Sequence, residues 1–229
     1  MSELNSKRKG ARSAKDIPEH ILESLQNGEI ETANLVEWLA IDRGILLTNF
    51  LQNSDKAEYL RPVMQSISTM PKKTVNTVNE MIGSQLYLQA SKNSDDDLLH
   101  LMRTSTSDVV RCWAAYAVTQ ERSLSFPEVL KRIEPFAADS HFGVREISWL
   151  SVRRQISDNL VEAIECLSQW SYSELENIRR FSSEATRPRG VWCAHLETLK
   201  KNPEMALPIL EPLKSDTSLY VRDSVGNWL

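Results

Sequence analysis

Ser107-Asp-Val-Val-Arg111, Phe142-Gly-Val-Arg145, Glu176-Asn-Ile-Arg179 and Leu219-Tyr-Val-Arg222 each end on a β-branched residue followed by arginine. Arg111 to Arg145 is 34 residues, Arg145 to Arg179 is 34 again, and Arg179 to Arg222 is 43. A recurring unit of that length, holding two helices, is the signature of a helical-repeat solenoid. Each helix pair carries an apolar stripe that only the next pair can cover. The reading is therefore an all-α, HEAT-like solenoid of antiparallel helix pairs in a curved superhelix. The longer last interval contains Arg187-Pro-Arg-Gly190, an extension of one turn.

Outward from these marks the helical pattern continues. Ser107 and Ser140 stand before the arginine-bearing helices, and Pro127 opens the helix holding Val129, Leu130 and Ile133. Asn159 to Trp170 and Pro203 to Leu213 read as first helices of later pairs. Towards the N-terminus, Asp16 reads as an N-cap with Pro18 in the first turn, and Asn27-Gly28 ends that helix. Leu35, Trp38, Leu39, Ile45, Leu46 and Leu47 read as one further helix, Lys56 to Ser68 as the next, and Pro71 opens a third. Residues 1–15, with Lys7, Arg8, Lys9, Arg12 and Lys15, read as a flexible basic arm, and residues 16–229 as a single solenoid domain.

Composition narrows the function. Hydrophobic residues make up 41% and charged residues 25% of the 229, which suits a globular chain and not a disordered one. Only seven glycines occur, too few for the frequent turns of an all-β fold. No apolar run approaches the ~20 residues that cross a bilayer, and Met1-Ser-Glu-Leu-Asn lacks the apolar core of a secretory signal. Cys112, Cys166 and Cys193 form no even set and no CxxC, so they read as reduced thiols of a cytoplasmic protein. His141 and His195 have no second ligand at metal spacing, so no metal is expected. No glycine-rich phosphate loop and no acyl-transfer triad is present, so no small-molecule cofactor is expected. A net charge of −4 argues mildly against a strong nucleic-acid binder, although a basic face can coexist with an acidic back.

Three stretches carry a more specific likeness. They are His141-Phe-Gly-Val-Arg-Glu-Ile-Ser-Trp149, the run Glu176-Asn-Ile-Arg-Arg-Phe-Ser-Ser-Glu-Ala-Thr-Arg-Pro-Arg-Gly-Val-Trp192, and Leu210 to Leu229. Together with Asn34-Leu-Val-Glu-Trp-Leu-Ala-Ile-Asp42 they resemble the DNA alkylation repair family of HEAT-like repeat proteins, over roughly Asp16 to the end. The resemblance is strongest to its AlkC-like branch, whose V-R-E-x-x-W and R-R-F-x-S-E-x-x-R-P-R-G-V-W patterns match Glu146, Trp149, Glu184, Arg187, Arg189 and Trp192. In the AlkD-like branch a tryptophan and a catalytic aspartate stand where this chain has Ser107 and Arg111, and a further tryptophan is replaced by Glu184. The AlkC-like branch often carries an immunoglobulin-like C-terminal domain, which a chain ending at Leu229 is expected to lack.

The resemblance implies a C-shaped solenoid holding duplex DNA on a concave basic face. It also implies hydrolysis of the N-glycosidic bond of cationic 3- and 7-alkylpurines. An alkylated purine is already a good leaving group, so the protein must position water and stabilise an oxocarbenium-like sugar. On that footing Glu146 and Glu184 are the candidate catalytic carboxylates. Arg145, Trp149, Arg179, Arg180, Arg187, Arg189 and Trp192 are the candidate DNA contacts. The expected partner is duplex DNA bound by a monomer, with no membrane involved.

The residues alone leave alternatives open. Each repeat arginine is either one rung of a structural charge ladder, with Asp108 placed to partner Arg111, or a phosphate ligand. Arg145 and Trp149 share one helix face at i,i+4, with Glu146 turned about 100° away. Arg180, Glu184 and Arg187 share a stripe that is either a solvated salt-bridge row or a poised anionic site. The tryptophans are either core or an aromatic face. Three functions compete: an alkylpurine DNA glycosylase, a non-catalytic protein gripping duplex or branched DNA through phosphates, and a protein-binding scaffold.

Overall fold

A computed structural model describes residues 8–190 and 192–229. Among the described residues the regular structure is helical, without strands, and the chain is a helical-repeat solenoid. No helix among them is long and apolar enough to cross a membrane. The helices gather into two compact units, one ending at Gln120 and the other running Glu121–Leu229.

The first unit holds α1 (Glu19–Gln26), α2 (Leu35–Ala40), α3 (Arg43–Asn53), α4 (Leu60–Ser68), α5 (Val75–Asn93), α6 (Asp96–Arg103) and α7 (Asp108–Val118). Its spine is α5 against α7. They approach closely because α5 carries Gly83, where an added Cβ would stand 2.5 Å from the Trp113 carbonyl oxygen. Trp113 of α7, Leu86 and Ile82 of α5, and Leu98 and Met102 of α6, which packs on both, are fully buried. The helix expected through Trp38 and Leu47 is two helices. Asp42 caps the second, its side chain accepting from the Gly44 and Ile45 amides, and that competition breaks the chain at Ile41. The first cap also moves. Asp16 lies in a short 3-10 turn, Ala14–Asp16, and α1 starts after Pro18. Thr74, not Pro71, caps α5.

Residues 1–7 of the basic arm lie outside the described residues. The rest of the arm lies along α2. Arg8 pairs with Glu37, and Asn34 donates to the Ala11 carbonyl at 2.9 Å. Burial opposes the charge of Glu37, but Arg8 and the Ala33 amide hold its carboxyl below the usual value.

The second unit holds α8 (Phe126–Ala137), α9 (Phe142–Ser151), α10 (Arg153–Asp158), α11 (Leu160–Trp170), α12 (Glu176–Thr186), α13 (Glu197–Lys201), α14 (Leu207–Leu213) and α15 (Leu219–Trp228). The core of this unit is α12, which packs on α8, α9, α10, α11, α14 and α15. Its contact with α15 is lined by small hydroxyls. Ser183 and Ser224 share a hydrogen bond of 2.6 Å, and Trp228 Nε1 donates to Thr186 Oγ1 at 3.3 Å.

The repeat arginines perform one structural task. Nη1 of Arg111 donates to the carbonyls of Ser105 and Thr106, that of Arg145 to Asp139 and Ser140, that of Arg179 to Ser173 and Glu174, and that of Arg222 to Asp216 and Thr217. Each arginine thus folds back on the turn that leads into its own helix, at the fifth and sixth residue before it. A guanidinium presents several donors in one plane, which is why arginine suits a turn with two parallel carbonyls. Arg111 adds an ion pair with Glu31, and Asp108 accepts from the Thr32 amide and hydroxyl, both at 2.9 Å.

Candidate functional site

In the second unit, α9 and α12 set their charged side chains against each other. Helix α9 starts where His141 Nδ1 accepts from the Gly143 amide, and its first turns carry Arg145, Glu146 and Trp149. Trp149 is buried, and its Nε1 donates to Glu146 Oε2 at 3.0 Å. The sequence spacing grouped Arg145 with Trp149 and turned Glu146 away. The i,i+3 relation instead joins Glu146 to Trp149, because residues three apart also share a helix face.

Helix α12 carries Arg180 and Glu184 of the stripe that the sequence grouped, and Arg187 is the residue that caps its C-terminal end. Glu184 receives Arg180 at 3.2 Å and Arg187 at 3.1 Å. Only 2% of the Glu184 side chain is exposed, so this is no solvated row. Arg180 also reaches Glu146 at 2.8 Å, bridging the two helices and both candidate carboxylates. Burial works against the Arg180 charge, and the carboxylates of Glu146 and Glu184 outweigh it, so its pKa moves up. Glu146 is the accessible member, with its side chain 37% exposed.

A residue the sequence reading missed completes this network. Tyr220 on α15 lies under both cations, with the Arg180 guanidinium carbon 4.2 Å and that of Arg145 5.4 Å from its ring centroid. The Tyr220 hydroxyl also accepts from Arg145 Nη2 at 3.4 Å. Its signal is the register. Two residues before the repeat arginine stand Val109, Gly143 and Asn177 in the other units, and an aromatic ring only here.

Beneath lies Arg153, 5% exposed. It donates to the Ala185 carbonyl at 2.7 Å and to the Arg187 and Ala194 carbonyls, tying down the segment that follows α12. Burial lowers its pKa. Burial pushes the Cys193 thiol up, against the pull of Arg153 and Arg187. At Gly190 an added Cβ would strike Cys193 Sγ, so a larger residue there would require the Cys193 side chain to turn away.

The other expected contacts separate. Arg189 and Trp192 are exposed, Trp192 by 69%. Arg179 is fully engaged: Nε and Nη2 grip Asp216 at 2.6 and 2.9 Å, and Nη1 holds its turn. Around Glu146 and Glu184 the described residues place Arg145, Arg153, Arg180 and Arg187, so guanidiniums outnumber carboxylates. Nε of Arg145 and Nε of Arg187 are buried with no hydrogen-bond partner. Chemically, the arrangement offers a fixed half-exposed carboxylate beside a surplus of cationic donors.

No family model matches the chain, and no solved structure matches it. Among curated proteins it is similar to an uncharacterized protein, YhaZ, of Bacillus subtilis strain 168, being 39% identical over 102 residues, 44% of this chain. The matched stretch covers 26% of that protein, so the chain spans about a quarter of the relative it matches.

Proposed function

We propose that this chain is a DNA-binding member of the alkylation repair family of HEAT-like repeat proteins. It acts in the cytoplasm as a monomer and releases cationic alkylpurines from duplex DNA. The observation that supports this best is Glu146, half-exposed and pinned by Trp149 and Arg180 in a cluster with surplus positive charge. Phosphates are met by exposed cations such as Arg189, while the guanidiniums of the cluster hold carboxylates, carbonyls and the Tyr220 ring. In the reaction the glycosidic bond between sugar C1′ and purine N9 breaks. Its electron pair neutralises the purine, and the sugar becomes an oxocarbenium that water captures. Glu146 stabilises that cation and takes the proton from the attacking water. Glu184 orders Arg180 and Arg187 and touches no reacting atom, and Trp192 and Arg189 offer an exposed aromatic face and cation for the duplex.

The test is direct. Purified protein in excess over methylated duplex should free alkylated bases, measured by chromatography, and Glu146→Gln should retain binding while base release falls at least ~100-fold. No release by the wild-type chain would sink the catalytic reading.

A second reading is a non-catalytic DNA binder. It is favoured by Arg111, which stands where the AlkD-like branch has its acid and is held by Glu31 and its own turn. It expects binding without release. Binding that is absent, or insensitive to salt, would leave the scaffold reading.

A further inference from the structure

In the first unit a charged side chain is buried with nearby carboxylates but none in ion-pair contact. Arg43, the first residue of α3, is 7% exposed. Its Nη1 donates to the Ile41 carbonyl at 2.6 Å, its Nε lies 3.5 Å from Asn79 Oδ1, and its guanidinium sits over the Trp38 ring, 4.7 Å from the centroid. Nη2 has no partner. Asn79 is fully buried, and Trp113 Nε1 donates to its Oδ1 at 2.9 Å. Only the amide oxygen can accept from an indole N–H, so this bond fixes the orientation of the side chain and leaves Nδ2 as a donor. Nδ2 is likewise buried and unpartnered, and so is Nε1 of Trp38.

Arg43 touches both Trp38 and Asn79, and the three residues present three orphan atoms, all donors. A water molecule could accept from them but would bring two hydrogens of its own that need acceptors. A monoatomic anion accepts from every side and neutralises the guanidinium, and an unpaired buried charge is among the costliest features a fold can carry. Burial lowers the pKa of Arg43 to about 10 even with Cys112, Asp108 and Asp42 in the neighbourhood, which marks how poorly its charge is compensated.

We infer that Arg43 Nη2, Asn79 Nδ2 and Trp38 Nε1 form a buried site for a small monovalent anion of the halide class. The site belongs to the first unit and is independent of the reading given to Glu146.

Melting of the full chain in sodium chloride, against sodium gluconate at equal ionic strength, tests this. Gluconate is too large for the site. The midpoint should rise by about 3 °C for each tenfold increase in chloride beyond saturation, and stay level in gluconate. Asn79→Asp keeps the acceptor for Trp113 and puts a carboxylate oxygen where Nδ2 was. It should abolish the chloride response. Crystals grown in sodium bromide should show an anomalous peak beside Arg43 Nη2, a measurement that stands even if the variant fails to fold. Equal melting in the two salts, an Asn79→Asp variant that still responds to chloride, or a water without anomalous signal at that position would overturn the proposal.

Discussion

Glu146 and Glu184 share Arg180 yet differ in what each would do if neutralised. Glu184 is buried between two guanidiniums. Glu184→Gln leaves both cations undercompensated in a dry setting, and should cost about 3 kcal/mol in urea denaturation. Glu146 is partly solvated, so Glu146→Gln should cost about 1 kcal/mol or less in the same measurement while removing base release. Equal stability losses would mean that burial does not separate them. Asp216 gives a pH test. The Arg179 hydrogen bonds hold its carboxyl below the usual value, aided by the Ser218 amide and opposed by burial. A depressed carboxyl stabilises the fold above its unfolded value of about 3.9 and loses that contribution as pH falls through the lower folded value. The wild-type chain should therefore lose stability below about pH 4 more steeply than Asp216→Asn. At this scale the sequence was half legible. Arg180 and Glu184 lie one turn apart on α12 and Arg187 caps its end, so local spacing alone groups them. The contact of Glu146 with Arg180, and that of Tyr220 with both arginines, joins helices far apart in the chain, and no local spacing encodes it.

The four repeat arginines show why the elements were easier to read. Each acts on a turn five and six residues earlier, so the interaction is local and leaves the same mark in every unit. Where the cause of a helix end is a single competing side chain, the reading failed. Apolar spacing runs straight through Ile41, and only the Asp42 cap divides α2 from α3. The short α10 and α13 lack enough turns to show a period. The packing of α5 on α7 supplies the prediction for this scale. Alanine in place of glycine favours an exposed helix by about 1 kcal/mol. At Gly83, however, the new methyl meets the Trp113 carbonyl at 2.5 Å, and a backbone oxygen on a packed helix cannot retreat alone. Overpacking should win, so Gly83→Ala should destabilise the chain by about 1–3 kcal/mol on thermal denaturation. A stabilised variant would show that the two helices separate freely.

For the molecule as a whole, bulk charge and local charge make opposite demands. A net charge of −4 would repel a polyanion, so DNA binding requires that the exposed cations of one region act over distances shorter than the screening length. The buried arginines of the site do not count here, since their donors hold carbonyls, carboxylates and the Tyr220 ring. In the second unit the cations near the ends of α10, α12 and α13 are Arg154, Arg189 and Lys201, which are open to solvent, and Lys200, which is partly covered. Arg154 and Lys200 have only local carboxylates, Asp158 at 3.8 Å and Glu197 at 2.9 Å, that exposed pairs exchange readily for phosphate. If these four each neutralise a phosphate, the logarithm of the binding constant should fall against the logarithm of salt with a slope of about −3.6. Fluorescence anisotropy of a labelled duplex measures it. Arg189→Ser should flatten the slope by about 1, whereas Glu146→Gln should leave it unchanged because a carboxylate releases no counterion from DNA. A slope near zero would mean that the acidic surface governs the encounter, and the protein-binding scaffold reading would then stand.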